Sequence, residues 1–549
     1  MRPDPARWRG YARDALRDDF VAACVVAVLL IPQSLAYALL AGLPAQAGLY
    51  ASLLPLVAYA ALGTSRAMGV GPVAVLSLMV AQAVADAPPG VSAPAAALVL
   101  AAEVGVLLAL AAWWRLDALA ALLSVPVLQG FETGAALSIA LSQLPVLLGA
   151  SASGSNLPQV ALSWWRADVA WWPLTALYGV VALAALWLLR NHAVNWLGRW
   201  MSATPARLVA RLAPLAVLLA AMGASAASGA GARGVAVVGE VPALGGPLPW
   251  PPLDAALWAR MLPSAALVAL VAFVSSLVVA ESLARRELAG LAAANLAAAA
   301  SGGMPVAGSF TRSIVNVDAG ARTRMAGVFT AALMALAIVL LARPPAALPA
   351  AVLAASILVA VVSLFDWTPF RQAWRYSRPE GALMVAVAAL TVMHGVASAL
   401  AAGVAGSIAL LLQRTARPHV ALIGRVPGTE HFRNVGRHDV EVTSGVLGLR
   451  IDESLLFTNA RQLADVVEQH VADHPDTRRV VLLMSPVNRI DFSGLAALRA
   501  LHETLRGRGI RLDLSEVKGP VLDALRSSDW TSWFDGRVFL SHHQAMLDS

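Results

Sequence analysis

The sequence predicts an α-helical polytopic membrane protein of about fourteen spans, followed by a small cytosolic α/β domain; three observations carry that prediction. First, 58% of the 549 residues are hydrophobic and only 13% charged, a balance suited to a lipid solvent. Second, uncharged runs such as 20–65, 104–114, 325–342, 344–365 and 381–413 supply the roughly 20 apolar residues that one bilayer crossing requires, and some hold two crossings. Third, the composition changes near residue 415, after "LLLQRTARPH", where charges become dense.

The Arg-rich start, residues 1–19, leads into an apolar run far longer than a signal-peptide core. No cleavable signal is therefore expected, and the first span stays attached. Spans are predicted near 20–41, 45–63, 70–84, 93–113, 117–148 (one long broken element), 173–190, 205–223, 262–283, 287–301, 305–319, 323–342, 347–364, 379–393 and 394–413. With the N-terminus in the cytoplasm, the loops carrying Arg66, Arg115, Arg190 to Arg211, Arg285 and Arg286, Arg322 and Arg324, and Arg371 to Arg378 all fall inside, as the positive-inside rule requires. An even number of spans returns the C-terminus to the same side, and the predicted location is the inner (plasma) membrane.

The net charge of +7 comes from arginines scattered through short loops, with no basic block among interleaved aromatics, so no nucleic-acid partner is expected. Cys24 is the only cysteine; it excludes an internal disulfide and a thiol metal site. No metal or other cofactor is expected. From about residue 415, apolar strands near 445–451, 479–484 and 510–514 alternate with helical patterns in "NARQLADVVEQHV", "GLAALRALHETLRGRG" and "PVLDALRSS". This predicts a small sheet with helices on one side.

Two stretches repeat one pattern: "MGVGPVAVLSL" from residue 68 and "GGMPVAGSFT" from residue 302 both read glycine, then Pro-Val-Ala, inside apolar sequence. Interrupted segments in matching halves point to a transporter whose broken helices meet near the membrane midplane. Pro72 and Pro305 suit the first turn of a helix, and Gly69, Gly71, Gly302 and Gly303 keep the preceding backbone non-helical. Each half-helix would then aim free N–H groups and about half a positive charge at a shared pocket. Arg312 stands seven residues past Pro305, about two turns along that helix, where a charge at membrane depth costs roughly 2.5–3.5 kcal/mol on insertion scales. It either supplies standing positive potential for an anion or pairs with an acid such as Asp318 or Glu132 and fixes packing.

Three stretches resemble the SulP family of anion permeases, which includes sulfate permeases, bicarbonate transporters, pendrin and prestin. "IPQSLAYALLAGLPAQAGLYASLLPLVAYAALGTSRAMGVGPVAVLSL" (31–78) is similar to the family's first three spans, "VLQGFETGAALSIALSQLPVLLG" (127–149) to its fifth, and "GGMPVAGSFTRSIVNVDAGART" (302–323) to its tenth. The likeness continues through "RPHVALIGRVPGTEHFRNV" (417–435) into a C-terminal STAS domain. It implies a 7+7 inverted repeat, with a core (about 20–115 and 262–342) moving against a gate (about 116–223 and 344–414), usually in a homodimer, and a STAS domain with its linker from 415 to 549. It also implies an anion site between the third and tenth helices, lined by Gln33, Tyr37, Val73, Ala74, Ser309, Phe310, Thr311 and Arg312.

One departure bears on coupling. Many bacterial relatives carry Gly-Phe-Val-Glu-Ser in the eighth span; this chain reads "AFVSSLVVAE", which puts Ser275 at the acidic position. Glu281 is a partial substitute, though near "ARRE" it is better placed to pair with Arg285, four residues on. Glu103 and Glu132 are read as helix-packing acids and His394 as structural. In the soluble domain "RIDFSGLAAL" resembles the strand-to-helix turn of anti-sigma factor antagonists, with Ser493 at the phosphorylatable serine and a plain N-cap at Asp491 or Ser493 as the simpler reading.

These residues predict a secondary transporter of a small inorganic or carboxylate anion (sulfate, bicarbonate, chloride or carboxylate class) working by elevator-like alternating access. An uncoupled exchanger, a channel-like conductance, and a membrane sensor acting through the STAS domain are the alternatives. An enzyme is not expected, because the spans hold no His/Asp/Glu cluster with catalytic spacing.

Overall fold

The computed structural model describes residues 13–66, 68–114, 124–150, 156–166, 172–202, 206, 209–210, 212–239, 250–277, 284–340, 347–362, 365–416 and 419–548. They form two compact units, Met1–Ser407 and Ile408–Ser549. The N-terminal dozen residues, the start of the element expected at 117–148, and Glu281 lie outside the described residues, as does the Arg285 side chain.

The first unit is helical. Its elements are α1 (Arg13–Leu40), α2 (Ala45–Tyr50), α3 (Leu54–Leu62), β1 (Gly69–Gly71), α4 (Ala74–Ala85), α5 (Ala93–Trp113), α6 (Val125–Leu148), α7 (Leu157–Arg166), α8 (Pro173–Leu197) and α9 (Ala213–Ser228). Then come α10 (Ala255–Leu277), α11 (Ala284–Ala300), β2 (Ala307–Ser309), α12 (Phe310–Asp318), α13 (Met325–Leu340), α14 (Ala350–Val362), α15 (Thr368–Tyr376), α16 (Arg378–His394) and α17 (Val396–Thr415), whose residues from Ile408 on belong to the second unit. Local chemistry sets several of these boundaries. Ser92 caps α5 by accepting from Ala95 N–H at 3.4 Å, proline occupies the first turn of α5 and α6, and Gly149 ends α6 in the left-handed region at φ +71°.

Among the described residues, seven helical stretches are long and apolar enough to cross a membrane: Ala15–Leu40, Ala45–Leu62, Ala93–Trp113, Val125–Leu148, Pro173–Leu197, Ala255–Ser276 and Val396–Thr415. Shorter apolar helices are Ala74–Ala85, Ala213–Ser228, Met325–Val339 and Ala350–Val362. This is a multi-pass membrane domain. Its tightest helix pairs are α5 with α10 and α11, α3 with α11, α1 with α13, α6 with α14 and α16, and α8 with α14. Small residues allow that approach: a Cβ on Gly105 would fall 2.7 Å from Leu296 Cγ, and one on Gly130 only 2.4 Å from Met384 O.

The second unit is an α/β domain with strands β3 (Val420–Arg425), β4 (Phe432–Asn434), β5 (Val446–Ile451), β6 (Arg479–Leu483), β7 (Arg511–Ser515) and β8 (Val538–Phe539). Its helices are α18 (Ala460–Asp473), α19 (Phe492–Gly507), α20 (Gly519–Arg526), α21 (Trp530–Trp533) and α22 (His542–Leu547). The six strands lie in the order β4-β3-β5-β6-β7-β8; β5 through β8 run parallel, and β3 is antiparallel to both its neighbours. The core strand β6 is buried along its whole length, as a parallel strand covered on both faces must be. Val480 and Leu482 face the cluster built by Leu463, Val467, Leu498 and Leu501 of α18 and α19, whereas Val481 packs with Ala545 and Met546 of α22. The expectation of helices on one side is therefore corrected. The short C-terminal helix covers the opposite face, and its six residues, with two histidines, carry too little periodicity to announce it.

Candidate anion site

Two interruptions of the membrane domain meet in a two-stranded antiparallel ribbon, with Gly69 opposite Ser309, Val70 opposite Gly308, and Gly71 opposite Ala307. Each strand leads into a half-helix. Val73 is the N-cap of α4 and Ser309 that of α12. Three ribbon positions and two further residues separate the tips, about 13 Å at the usual strand rise. Three-residue strands at membrane depth have no water to satisfy their backbone, so they satisfy one another.

At the first tip Pro72, expected in the first turn, lies just outside the helix, one residue before the N-cap Val73, so the first turn of α4 is built by Ala74, Val75 and Leu76 instead. The second departs further. Pro305 lies outside α12, four residues before its N-cap, because the segment after it is taken up elsewhere. Val306 donates to Asn295 Oδ1 at 2.9 Å and accepts from Asn295 Nδ2 at 3.0 Å, and residues 307–309 pair with β1. Arg312 consequently belongs to the first turn of α12 rather than two turns along it.

Its side chain is 2% exposed. Nε, Nη1 and Nη2 are each buried without a hydrogen-bond partner among the described residues. Neither acid considered from sequence serves it: Asp318 and Glu132 both stand exposed. The guanidinium lies against the ribbon, where a Cβ on Gly71 (φ +156°) would be 3.0 Å from Nη1, and a Cβ on Gly69 would be 2.9 Å from Arg312 Cβ. These two glycines make room for the arginine. Tyr37 is its electrostatic neighbour, carried on α1, which packs against both α4 and α12. Gln33 and Tyr37 are one helical turn apart and half-buried on α1, and Ala74 is buried in the first turn of α4. Phe310 and Thr311 occupy the first turn of α12; their side chains lie outside the described residues.

An unpaired buried guanidinium costs several kcal/mol, and here the first turns of two helices add positive potential beside it. The arrangement therefore favours a negative solute. It offers amide donors and a planar five-donor cation but, among the described residues, no group of three His, Cys, Asp or Glu able to hold a metal.

Sequence reasoning missed the residues that hold the ribbon in place. Ser276 Oγ accepts from Gly308 N–H at 2.8 Å, Ser313 Oγ accepts from Gly69 N–H at 3.0 Å, and Asn295 clamps Val306. A buried Asn in the Ala-rich helix "LAAANLAAAA" was the available signal. Ser275, the motif position, is half-buried and donates to Val271 O at 2.7 Å; its neighbour Ser276 makes the ribbon contact. Of the other singled-out groups, Glu103 is buried with Oε2 unpartnered, and His394 is exposed at the end of α16. In the soluble unit Asp491, not Ser493, caps α19, accepting from Gly494 N–H at 2.8 Å, and Ser493 is exposed in the first turn.

Residues 16–388 match the model of the sulfate permease family and residues 437–545 that of the STAS domain. A probable sulfate transporter of Mycobacterium tuberculosis is 34% identical over 96% of this chain and 94% of its own length. Probable sulfate transporter 4.2 of Arabidopsis thaliana is 32% identical over 94% of this chain and 78% of its own. Among solved structures, the murine Solute Carrier 26 family member A9 anion transporter in its inward-facing state superposes with a TM-score of 0.86 at 21% identity, covering 97% of this chain and 92% of that one. The transmembrane domain of a cyanobacterial bicarbonate transporter, BicA, gives 0.60 at 22% identity over 71% of this chain and 97% of that one.

Proposed function

Because the chain belongs to the sulfate permease family, with a STAS domain after its membrane domain, we propose that it is a secondary transporter of small anions working by elevator-like alternating access. The anion is held between the tips of α4 and α12, contacted by Gln33, Tyr37, Val73, Ala74, Ser309, Phe310, Thr311 and Arg312. The observation that carries this reading is the buried, unpaired Arg312 guanidinium beside the ribbon that links the two tips. Fourteen spans in a 7+7 inverted repeat accommodate the two half-helices in equivalent places. The tightest helix pairs support the division into core and gate, since α1, α3, α5, α10, α11 and α13 pair among themselves, as do α6, α8, α14 and α16. Sulfate heads the panel of candidate substrates because relatives above 30% identity are named as sulfate transporters. The proposed setting is a homodimer in the plasma membrane with both termini cytoplasmic, and Ser493 remains a candidate phosphorylation site.

The test is uptake into proteoliposomes of labelled sulfate, bicarbonate, chloride and dicarboxylates, with and without proton and sodium gradients. Accumulation of none of them would remove the proposal. A second reading, uncoupled exchange, rests on Ser275, a hydroxyl bound to its own helix where many bacterial relatives carry a carboxylate. Ser275→Glu is then expected to confer pH or sodium dependence on uptake, and an unchanged dependence counts against it.

A further inference from the structure

The half-helix α4 carries the anion tip at one end and, toward its other end, a polar side chain that reaches a different part of the membrane domain. Gln82 stands eight residues past Ala74, about 12 Å along the axis at the usual helical rise. Its Oε1 accepts from the backbone N–H of Val396 at 3.1 Å, and Val396 is the first residue of α17. The preceding Gly395 is fitted to that side chain: its φ is +95°, and a Cβ there would fall 2.2 Å from Gln82 Nε2. Glycine is therefore required twice, by the backbone conformation and by the amide it accommodates.

The two partners belong to different bodies in the division into core and gate proposed above. Helix α4 packs on α1, α5 and α10, and Arg260 of α10 ties down its end by donating to Asp86 O at 2.9 Å. Gly395 ends α16, and α17 rests on the gate, with Gly403 against Val127 of α6 and Val387 of α16. Helix α4 also packs on α6, so this end of the core is closed against the gate. With the N-terminus cytoplasmic, α4 ends on the extracellular side.

Breaking the bond has a specific physical consequence. The first N–H groups of a helix have no acceptor within it, and Val396 is fully buried, so Gln82 supplies the acceptor from outside the helix. A core that moves away leaves that amide to water, which reaches a buried helix start only when the two bodies part. The hydrogen bond thus favours the closed arrangement, and the twelve-residue helix transmits the same displacement to the tip at Val73.

We propose that Gln82 with Gly395 and Val396 forms a latch that holds the extracellular side of the anion site shut and opens once in every transport cycle. The proposal rests on the alternating-access reading above.

The test uses the full-length protein in membrane vesicles, with its single cysteine replaced (C24S) to give a cysteine-free parent. Oxidised Q82C/G395C is expected to form an internal disulfide that lowers anion uptake at least about tenfold, with recovery after a thiol reductant is added. Unchanged uptake by the cross-linked protein, or no cross-link at all, would overturn the latch. Q82A leaves Gly395 intact and so avoids strain there; it is read by a membrane-impermeant maleimide applied from the extracellular side to V73C. Labelling is expected to rise about two- to tenfold over V73C alone, the equilibrium equivalent of one hydrogen bond. Q82E, which keeps an acceptor oxygen, is expected to stay near the V73C value. Equal labelling with and without Q82A would likewise overturn the proposal. Because labelling needs no transport, it decides the latch even where absent uptake has removed the transporter reading.

Discussion

Helix α4 begins at Val73, which has no side-chain group to cap it, whereas α12 begins at Ser309, whose Oγ accepts from Arg312 N–H at 3.5 Å. The strand before α4 supplies space through Gly69 and Gly71; the strand before α12 supplies charge through Arg312, just beyond it. The second strand is also the better anchored, tied to α10 by Ser276 and to α11 by Asn295. Two tips of similar sequence thus divide the labour. One leaves its amides open to a ligand, and the other holds a costly cation in a fixed place.

Removing the charge should break the division most severely. Arg312→Gln keeps length and some donors but abolishes the field, so uptake is expected to fall roughly 10- to 100-fold, the range for losing charge-assisted contacts. Wild-type uptake by R312Q would mean that the amide tips alone suffice. Next in size is Gly71→Ala. Its Cβ would press on Nη1 at 3.0 Å from a backbone at φ +156°, and uptake should drop about tenfold while the protein still folds. Unaltered transport there would show that the guanidinium need not lie against the ribbon. The smallest effect on transport is expected from Asn295→Ala, which strands the Val306 amide and carbonyl and should cost about 1–3 kcal/mol of stability, read as a lower unfolding temperature in detergent. Equal losses from Asn295→Ala and from Ser313→Ala, on the other side of the ribbon, would erase the asymmetry in anchoring.

The interruptions themselves were legible, because glycine and proline within apolar runs leave few other choices. The residue that starts each half-helix was legible to within two positions at the first and not at the second. At Pro72 the local rule misses narrowly, the N-cap falling one residue later. At Pro305 a contact from another helix, Asn295, and pairing to a strand some 240 residues away override it, and neither can be read from the local pattern. The same limit explains why Ser275 drew attention and Ser276 did not: a motif marks a position, whereas the ribbon contact depends on which serine of a helical pair faces the strand. In the soluble unit the three central strands were legible from their continuous apolar runs, but α22 was not, since its place is fixed by distant residues of β6, Arg479 and Val481, that it meets on the sheet.

The pairing of Gly69 with Ser309 also constrains how the molecule comes into being. At about 5–20 residues per second, the ribosome delivers the second strand roughly 10–50 seconds after the first. Through that interval the first strand waits with unmatched peptide groups, shielded only by the helices already inserted. Biogenesis of the two halves is thus a late, long-range closure, and a chain stopped before residue 309 would be a substrate for quality control rather than a partial machine.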